Sequence, residues 1–284
     1  MARAPFFYRT AILGVGLLGG SLALALRHRG LTAQVVGYGR KERNLKAALQ
    51  KGIIDSYCLF AEEAVQGADL VVLATPVGAF LPLAKAIKGH LKGGSVQMDV
   101  GSIKGSLARR LHTLLPSYVP CHPIAGGERS GVEAAHEGLF NGALCIITPF
   151  EDTNTPALRG IRALWKALGC RVRHMSPKEH DRVYALVSHL PHLVSYALVG
   201  TAREADSRSL PYAGRGFRDS TRIALSSPEL WSDICTMNRG NLLRLLRLFK
   251  KQLAELQDCL QRADQEALMK TMEKARRFRA RLEG

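Results

Sequence analysis

The sequence predicts an α/β domain with a parallel-rich sheet over residues 1–175, followed by an all-helical domain over residues 176–284. Two observations predict this division. Short apolar runs alternate with helix-like segments between residues 9 and 150, which is typical of βαβ units that build a parallel sheet. After residue 176 these runs give way to long segments with apolar residues three and four apart. At 284 residues the chain can hold two domains and a sizeable buried core.

A glycine-rich turn opens the first domain. Residues 9–13 form an apolar run, and GVGLLGGS follows it ahead of a segment that is helix-like through about residue 29. Gly14, Gly16 and Gly19 have the GxGxxG spacing between a strand and a helix, which permits a tight turn, close approach of a pyrophosphate and close helix packing. With Leu17 and Leu18 at the helix N-terminus, they predict a Rossmann-type dinucleotide site. The alternative is a glycine-rich turn without a ligand.

The end of the second predicted strand, residues 34–38, indicates which dinucleotide is bound. Sites for NAD usually place an acidic residue about 20 residues after the glycines, where it binds the ribose hydroxyls. Here Gly39 stands at that place, followed by Arg40 and Lys41. Glycine removes a carboxylate that would repel a 2′-phosphate, and Arg40 can pair with that phosphate. NADP is therefore favoured over NAD, unless these cations are only the exposed first turn of the next helix.

Two further strand ends are expected at the same edge of the sheet. Residues 69–74 lead into Thr75, Pro76 and Val77, which are placed to flank the cofactor. Residues 95–100 lead into DVGSIKG, where Ser102 follows the strand. Because ligands bind at the carboxyl ends of strands in such sheets, Ser102 can contact a ligand, cap the following helix, or do both.

The stretch CHPIAGGERSG, residues 121–131, predicts a rigid loop that holds the imidazole of His122 at a fixed place. Pro123 fixes its own backbone and favours an extended His122, and the glycines after it allow close approach. The alternative is a turn with an incidental surface histidine. Residues 143–148 are expected to add a later strand to the sheet.

The second domain begins with SPKE, which predicts a helix capped at Ser176. In SHLPH, His189 and His192 lie three apart on one helical face and are interpreted as polar walls of a pocket. No third ligand accompanies them, so no metal is expected. Farther along, Asp219 and Arg222 are also three apart, so that an ion pair can direct the guanidinium towards a carboxylate.

The last helices carry a heptad-like apolar pattern. Its residues alternate four and three apart and are Leu242, Leu246, Phe249, Leu253, Leu256 and Leu260. Long helices with such a stripe favour a homodimer, although packing within the chain is the competing explanation.

Composition limits the classes of partner. The formal charge is +16, yet the basic residues are spread along the chain and form no recognisable nucleic-acid motif. A basic protein that attracts small anions fits equally well. No apolar run reaches the ~18 residues that a membrane helix needs, and no signal peptide is evident. We expect a cytoplasmic protein with a small-molecule substrate and with neither nucleic acid nor membrane as partner.

Taken together, these stretches resemble the prephenate/arogenate dehydrogenase family of tyrosine biosynthesis over nearly the whole chain. The resemblance rests on GVGLLGGS, DVGSIKG, HPIAGGERSG, SHLPH and GFRDSTRIA in this order, followed by Trp231. It implies oxidative decarboxylation of prephenate to 4-hydroxyphenylpyruvate, or of arogenate to tyrosine, with hydride transfer to NAD or NADP.

The resemblance also implies roles for the site residues. His122 would be the general base and must then be neutral, and Ser102 would bind the substrate hydroxyl or orient the histidine. Arg222, braced by Asp219, would bind the ring carboxylate. The remaining residues would line the pocket: His189 and His192 in its wall, Glu128 at its mouth, Gly127 near the substrate side chain, and Trp231 reaching in from a partner subunit.

Two alternatives stay open. One is another two-domain Rossmann dehydrogenase, although the catalytic lysine pattern of such enzymes is not found here. The other is a catalytically inactive NADP-binding redox sensor, which would need none of His122, Ser102 and Arg222. Gly127, which stands where some relatives have threonine, leaves the choice between prephenate and arogenate open.

Overall fold

A computed structural model describes residues 6–127 and 131–282. Its main sheet has six parallel strands in the order β3-β2-β1-β4-β5-β6. In chain order the strands are β1 Phe7–Leu13, β2 Thr32–Tyr38, β3 Ser56–Cys58, β4 Leu70–Leu73, β5 Val96–Asp99 and β6 Tyr118–Val119. The strand order reverses between β1 and β4, which places a ligand crevice at their carboxyl ends. The predicted fold class is confirmed.

Helices cover both faces of this sheet. They are α1 Leu17–His28, α2 Glu42–Gln50, α3 Ala61–Ala64, α4 Phe80–Ile87 and α5 Gly105–Leu114. The two faces have separate cores because side chains alternate along a strand: in β1, Ile12 packs into one core, and Ala11 and Leu13 pack into the other. All three are fully buried, so β1 is the central strand on which both layers rest.

A second, three-stranded sheet follows. It consists of β7 Cys121–Ile124, β8 Leu144–Ile147 and β9 Arg171–His174, with α6 Thr155–Ala167 between the last two. The prediction that residues 143–148 extend the first sheet is wrong. β7 follows β6 without a crossover helix, and β8 pairs antiparallel with β7. The predicted loop around His122 is also wrong in part, since His122 lies within β7 and is paired with Ile146.

The rest of the chain, from residue 176 to residue 282, is helical. Its helices are α7 Pro177–Tyr184, α8 Leu190–Asp206, α9 Arg215–Thr221, α10 Pro228–Met237, α11 Arg239–Gln261 and α12 Gln265–Ala280. The Ser176 hydroxyl accepts the backbone N–H of Glu179 at 3.1 Å, as the capping sequence predicts. A single π-helical turn, Ala185–His189, joins α7 to α8 and carries His189 at its end, just ahead of Pro191.

The apolar stripe of α11 is only partly covered. Leu242 is buried, whereas Leu253 is about half exposed and Leu260 is 66% exposed. The stretch Pro177–Tyr212 is long and apolar enough to cross a membrane by length and composition. The sequence predicts no such stretch, because histidines and serines interrupt every continuous apolar run in it, although the stretch as a whole is apolar. Less than a third of its 18-residue apolar part is buried, so it too presents an uncovered apolar surface.

Candidate active site

The glycine-rich turn between β1 and α1 has the geometry that its spacing predicts. Gly14 has φ +112°, and a Cβ there would lie 2.6 Å from the backbone of Ala74 on β4's carboxyl side. A Cβ on Gly19 would lie 2.1 Å from the carbonyl oxygen of Gly14, so α1 can approach β1 only without a side chain. A Cβ on Gly16 would meet nothing within 4 Å. The turn therefore has open space directly above Gly16, where a pyrophosphate fits.

Other groups at this edge also suit a dinucleotide. Leu17 and Leu18 form the first turn of α1 and present its N-terminal N–H groups to the crevice. The Thr75 hydroxyl is buried and has no hydrogen-bond partner among the described groups, so it can serve a ligand. The side chain of Val77, after Pro76, packs into the core, so that only its backbone is available to a cofactor at this turn. These residues fit a dinucleotide along the β1–α1 and β4–α4 turns.

The turn after β2 is basic. Gly39 has no carboxylate, Lys41 is exposed at the N-cap position of α2, and Arg40 is exposed beside it. The guanidinium of Arg40 lies 3.7 Å from a carboxylate oxygen of Glu229 on α10. Both side chains are more than two-thirds exposed, so this pair is weak and Arg40 can be recruited by a phosphate.

A chain of buried hydrogen bonds starts at His122. Its Nδ1 lies 2.8 Å from Nε2 of His180, and Nδ1 of His180 lies 2.9 Å from Oδ1 of Asp181. The ring of Tyr184 packs against both histidines, at centroid distances of 4.9 and 4.6 Å. Burial holds the pKa of His122 well below its usual range; the neighbouring rings of His180 and His189 disfavour a second positive charge, and the charge of Lys104 lowers the pKa further. The imidazole is therefore neutral at neutral pH, as a general base requires.

A buried ion pair supports the turn between β5 and α5. Nζ of Lys104 donates to Oδ1 of Asp99 at 2.6 Å and to the carbonyl of Gly101 at 2.7 Å. The Tyr118 hydroxyl donates to the other oxygen of Asp99, and burial together with that carboxylate raises the Tyr118 pKa well above its usual value. Both charges of the pair are fully buried, so each depends on the other for stabilisation.

Ser102 is not the N-cap of α5, which corrects one of its two predicted roles. The helix begins at Gly105, and the backbone N–H of Lys104 before it donates to Oδ1 of Asp181 at 2.9 Å. Asp181 on α7 thus takes the capping role from a distance of 77 residues. The ring of His122 is likewise oriented by His180 rather than by Ser102, as far as the described contacts go. Contact between Ser102 and a substrate stays a prediction.

His189 and His192 both face Trp231. Nδ1 of His189 accepts a hydrogen bond from the Asn238 amide at 3.0 Å, so a neutral His189 carries its proton on Nε2. That Nε2 is buried and has no partner among the described groups. Burial lowers the pKa of His189 to about 4. Trp231 stacks on His192 of its own chain, with the ring centroids 3.4 Å apart. That it also reaches into a partner's site stays a prediction.

The other predicted substrate residues lie after β7, on α9 and in the turn that follows α9. Gly127 is exposed after β7, and a Cβ there would lie 3.8 Å from the Leu17 side chain, so Gly127 lies next to the first turn of α1. Glu128 lies outside the described residues. Asp219 is exposed on α9 and Arg222 is exposed at the start of the turn Arg222–Leu225. Burial lowers the pKa of His192, and the charge of Arg222 lowers it further. The bracing of Arg222 by Asp219 stays a prediction.

Three of the residues at this site were not predicted as site residues: His180, Asp181 and Asn238. The signal available was a histidine and an aspartate in the first turns of the capped helix after Ser176. In α7 the buried residues are His180, Asp181 and Tyr184, so its inner face is polar. Eight residues with few apolar side chains do not reveal which face is inside. Across the described ranges, no group of three or more His, Cys, Asp or Glu side chains is arranged to hold a metal ion.

Comparison with known proteins gives consistent similarities over the whole chain. The family model "Prephenate dehydrogenase, nucleotide-binding domain" matches residues 22–174, and "Prephenate dehydrogenase, dimerization domain" matches residues 176–274. The chain is 35% identical to a cyclohexadienyl dehydrogenase of Zymomonas mobilis, over 97% of this chain and 96% of the relative.

Two solved structures are similar in both sequence and fold. A prephenate dehydrogenase of A. aeolicus, in complex with hydroxyphenyl propionate and NAD+, has a TM-score of 0.90 and 35% identity, covering 97% of this chain and 98% of that one. A Synechocystis arogenate dehydrogenase has a TM-score of 0.80 and 29% identity, covering 96% and 99%.

Proposed function

Since the chain belongs to the prephenate dehydrogenase family, we propose that it catalyses the oxidative decarboxylation of prephenate to 4-hydroxyphenylpyruvate, or of arogenate to tyrosine, with a nicotinamide dinucleotide. The observation that carries the proposal is the buried, neutral His122, hydrogen-bonded to His180, in a chain whose β1–α1 turn has the space and the geometry for a dinucleotide. The formal charge of +16 suits the capture of a small polyanion.

In the proposed reaction a hydride leaves the ring carbon that bears the hydroxyl, and acceptance of this hydride is the chemistry that the bound nicotinamide supplies. His122 accepts the hydroxyl proton on Nε2, since Nδ1 is engaged with His180. The ring carboxylate leaves as carbon dioxide, and its electron pair makes the ring aromatic and reaches the ring oxygen. That oxygen takes the proton back from His122. His122 therefore ends the cycle neutral, ready for the next substrate.

We assign the substrate contacts from the positions of the polar groups. Arg222 would bind the ring carboxylate, and Ser102 would hydrogen-bond the ring hydroxyl. The buried Nε2–H of His189 is a donor without a described partner, so it suits an anionic oxygen of the substrate. His192, stacked on Trp231, would form the wall beside it. Of prephenate and arogenate, neither is favoured by these contacts.

We propose a preference for NADP over NAD. It is supported by the exposed cations Arg40 and Lys41 after β2 and by the absence of a carboxylate at Gly39. Kinetics with both dinucleotides, for the wild type and for Arg40→Ala, test this preference. The variant should raise KM for NADP by about tenfold, as expected for loss of a charge-assisted contact of about 1.4 kcal/mol, and should leave KM for NAD unchanged. Equal use of both dinucleotides by both proteins would contradict it.

We also propose a cytoplasmic homodimer formed through the C-terminal helices. The match to a domain described as a dimerization domain supports it, as do the uncovered apolar surfaces of α11 and of Pro177–Tyr212. Sedimentation equilibrium measures the mass directly. The wild type should sediment as a dimer, and Leu253→Asp, which charges the exposed stripe, should shift the equilibrium towards monomer. A wild type that is monomeric at micromolar concentration would contradict the proposal.

The test of the activity is absorbance at 340 nm in four mixtures: prephenate or arogenate, each with NAD or NADP. Turnover in any mixture supports the proposal, and the rates rank the substrates and the dinucleotides together. Four flat traces with folded protein would refute it and would favour the interpretation as a dinucleotide-binding sensor.

A further inference from the structure

We propose that His180 and Asp181 are positioning residues that hold His122 in the one neutral tautomer able to accept a proton from the substrate. The inference rests on the proposed function in that His122 is taken as the base. It assigns to two residues of the second domain the role of positioning this base.

The three side chains form one unbroken line of hydrogen bonds. The Asp181 carboxylate and His180 are 2.9 Å apart, and His180 and His122 are 2.8 Å apart. His180 has no exposed surface, Asp181 is 7% exposed and His122 is 9% exposed. Bulk water therefore does not compete for these hydrogen bonds, and each donor must be matched by an acceptor within the chain.

The direction of the hydrogen bonds follows from the end at Asp181. Its Oδ1 already accepts the backbone N–H of Lys104 at 2.9 Å, a group that can only donate. The same oxygen accepts from His180, so the His180 proton is on Nδ1. A neutral His180 then has a bare Nε2, which accepts from Nδ1–H of His122. A neutral His122 is consequently left with a bare Nε2, the atom that must take the substrate's proton.

The surroundings keep both rings neutral. Burial lowers the pKa of His180, although the Asp181 carboxylate opposes this effect. Burial and the neighbouring charges lower the pKa of His122 further. In water the other tautomer of imidazole, with the proton on Nε2, is readily populated, and in that form Nε2 of His122 cannot accept the substrate's proton. Fixing the tautomer is thus a contribution to the rate that does not require contact with the substrate.

The experiment compares His180→Leu with His180→Gln. Leucine removes the acceptor, whereas the amide oxygen of glutamine can still accept from Nδ1–H of His122. Imidazole 15N shifts report which ring nitrogen is protonated, and the His122 signal among the nine histidines is identified by its loss in His122→Asn. We expect H180L to populate the Nε2–H tautomer of His122. Its kcat should fall at least about tenfold, and by no more than the roughly 10²–10⁴-fold that a general base contributes. KM and dinucleotide affinity should change little, and H180Q should retain the tautomer and most of kcat.

The matched control is His112→Leu. His112 also forms a histidine–carboxylate pair, with Asp152 at 3.0 Å, but away from the site. Its loss should leave the His122 tautomer and kcat unchanged. An H180L protein that keeps the wild-type tautomer and kcat would overturn the inference, as would a wild-type His122 with a bare Nδ1. The 15N measurement needs no turnover, so an inactive wild type would refute the proposed function without deciding the tautomer. If H180L does not fold, the wild-type tautomer and H180Q still decide the inference.

Discussion

Replacing His122 with asparagine removes the proton acceptor but keeps a polar side chain that can still donate to His180. The site is buried and the hydrogen bond to His180 can be maintained, so the change should act mainly on the reaction. A general base contributes about 10²–10⁴-fold to the rate. At about 1.36 kcal/mol for each factor of ten, the barrier should rise by about 2.7–5.4 kcal/mol.

The pH profile distinguishes loss of the base from general damage. The ring of His122 can accept a proton only above its own pKa, and burial and nearby charges hold this pKa well below 6.5. In the wild type, kcat/KM should therefore stay level as the pH falls through 6.5 and decline only at lower pH. In H122N the acid limb that belongs to His122 should be absent, because asparagine has no ring nitrogen to be protonated.

Initial rates at 340 nm from pH 5 to pH 9 measure both effects, with H112N as the control that removes a histidine far from the site. Turnover of H122N within tenfold of the wild type would refute the assignment of the base. So would an acid limb that is identical in the two proteins.

Three further outcomes are expected. Gly19→Ala should lower the free energy of unfolding by about 1–3 kcal/mol, since its Cβ would overlap the Gly14 carbonyl. Gly16→Ala should instead leave Tm unchanged and weaken dinucleotide binding, measured by calorimetry, by at least about tenfold. An equal loss of stability in both variants would contradict this prediction. Lys104→Met should cost about 3–5 kcal/mol in urea unfolding, because it strands a buried carboxylate; a cost below about 1 kcal/mol would be inconsistent with the buried pair. His189 has a pKa of about 4 against an ordinary 6.5, so the free energy of unfolding should fall by about 3 kcal/mol on its account between pH 6.5 and pH 4. The unfolded chain takes up the proton first as the pH falls, so the stability is complete above pH 6.5, and His189→Gln should show a smaller difference in unfolding free energy between pH 7.5 and pH 4.

The first domain could be predicted closely because its signals are local. The GxGxxG spacing, the apolar strands and the strand-to-helix turns each depend on residues within about 15 positions of one another. Gly14, with its positive φ, and Gly19, packed against the Gly14 carbonyl, have the geometry that the spacing implies. The predicted capping at Ser176 is confirmed for the same reason, since one hydroxyl meets an N–H three residues away.

What could not be predicted depends on contacts between distant segments. His180 reaches His122 across 58 residues, and Asp181 replaces Ser102 at the start of α5 across 77. The second sheet could not be predicted for the same reason. β8 pairs antiparallel with β7, which follows β6 Tyr118–Val119 without a crossover helix, and the composition of β8 does not reveal this pairing. A helix whose buried face is polar shows no apolar periodicity in the sequence, so this face cannot be identified before its partners are known.

The first two turns of α7 connect the parts of this protein in a way that limits their exchange. Asp181 accepts the backbone N–H of Lys104 at the start of α5, and His180 beside it is hydrogen-bonded to the histidine of β7, yet both belong to the chain beyond residue 176. A fragment cut at that point would retain the glycine turn but lose both the acceptor at the start of α5 and the hydrogen-bond partner of His122. The two domains are therefore not independent modules. Any recombination that swaps the helical domain must carry Pro177–Tyr184 with the sheet rather than with the helices that follow.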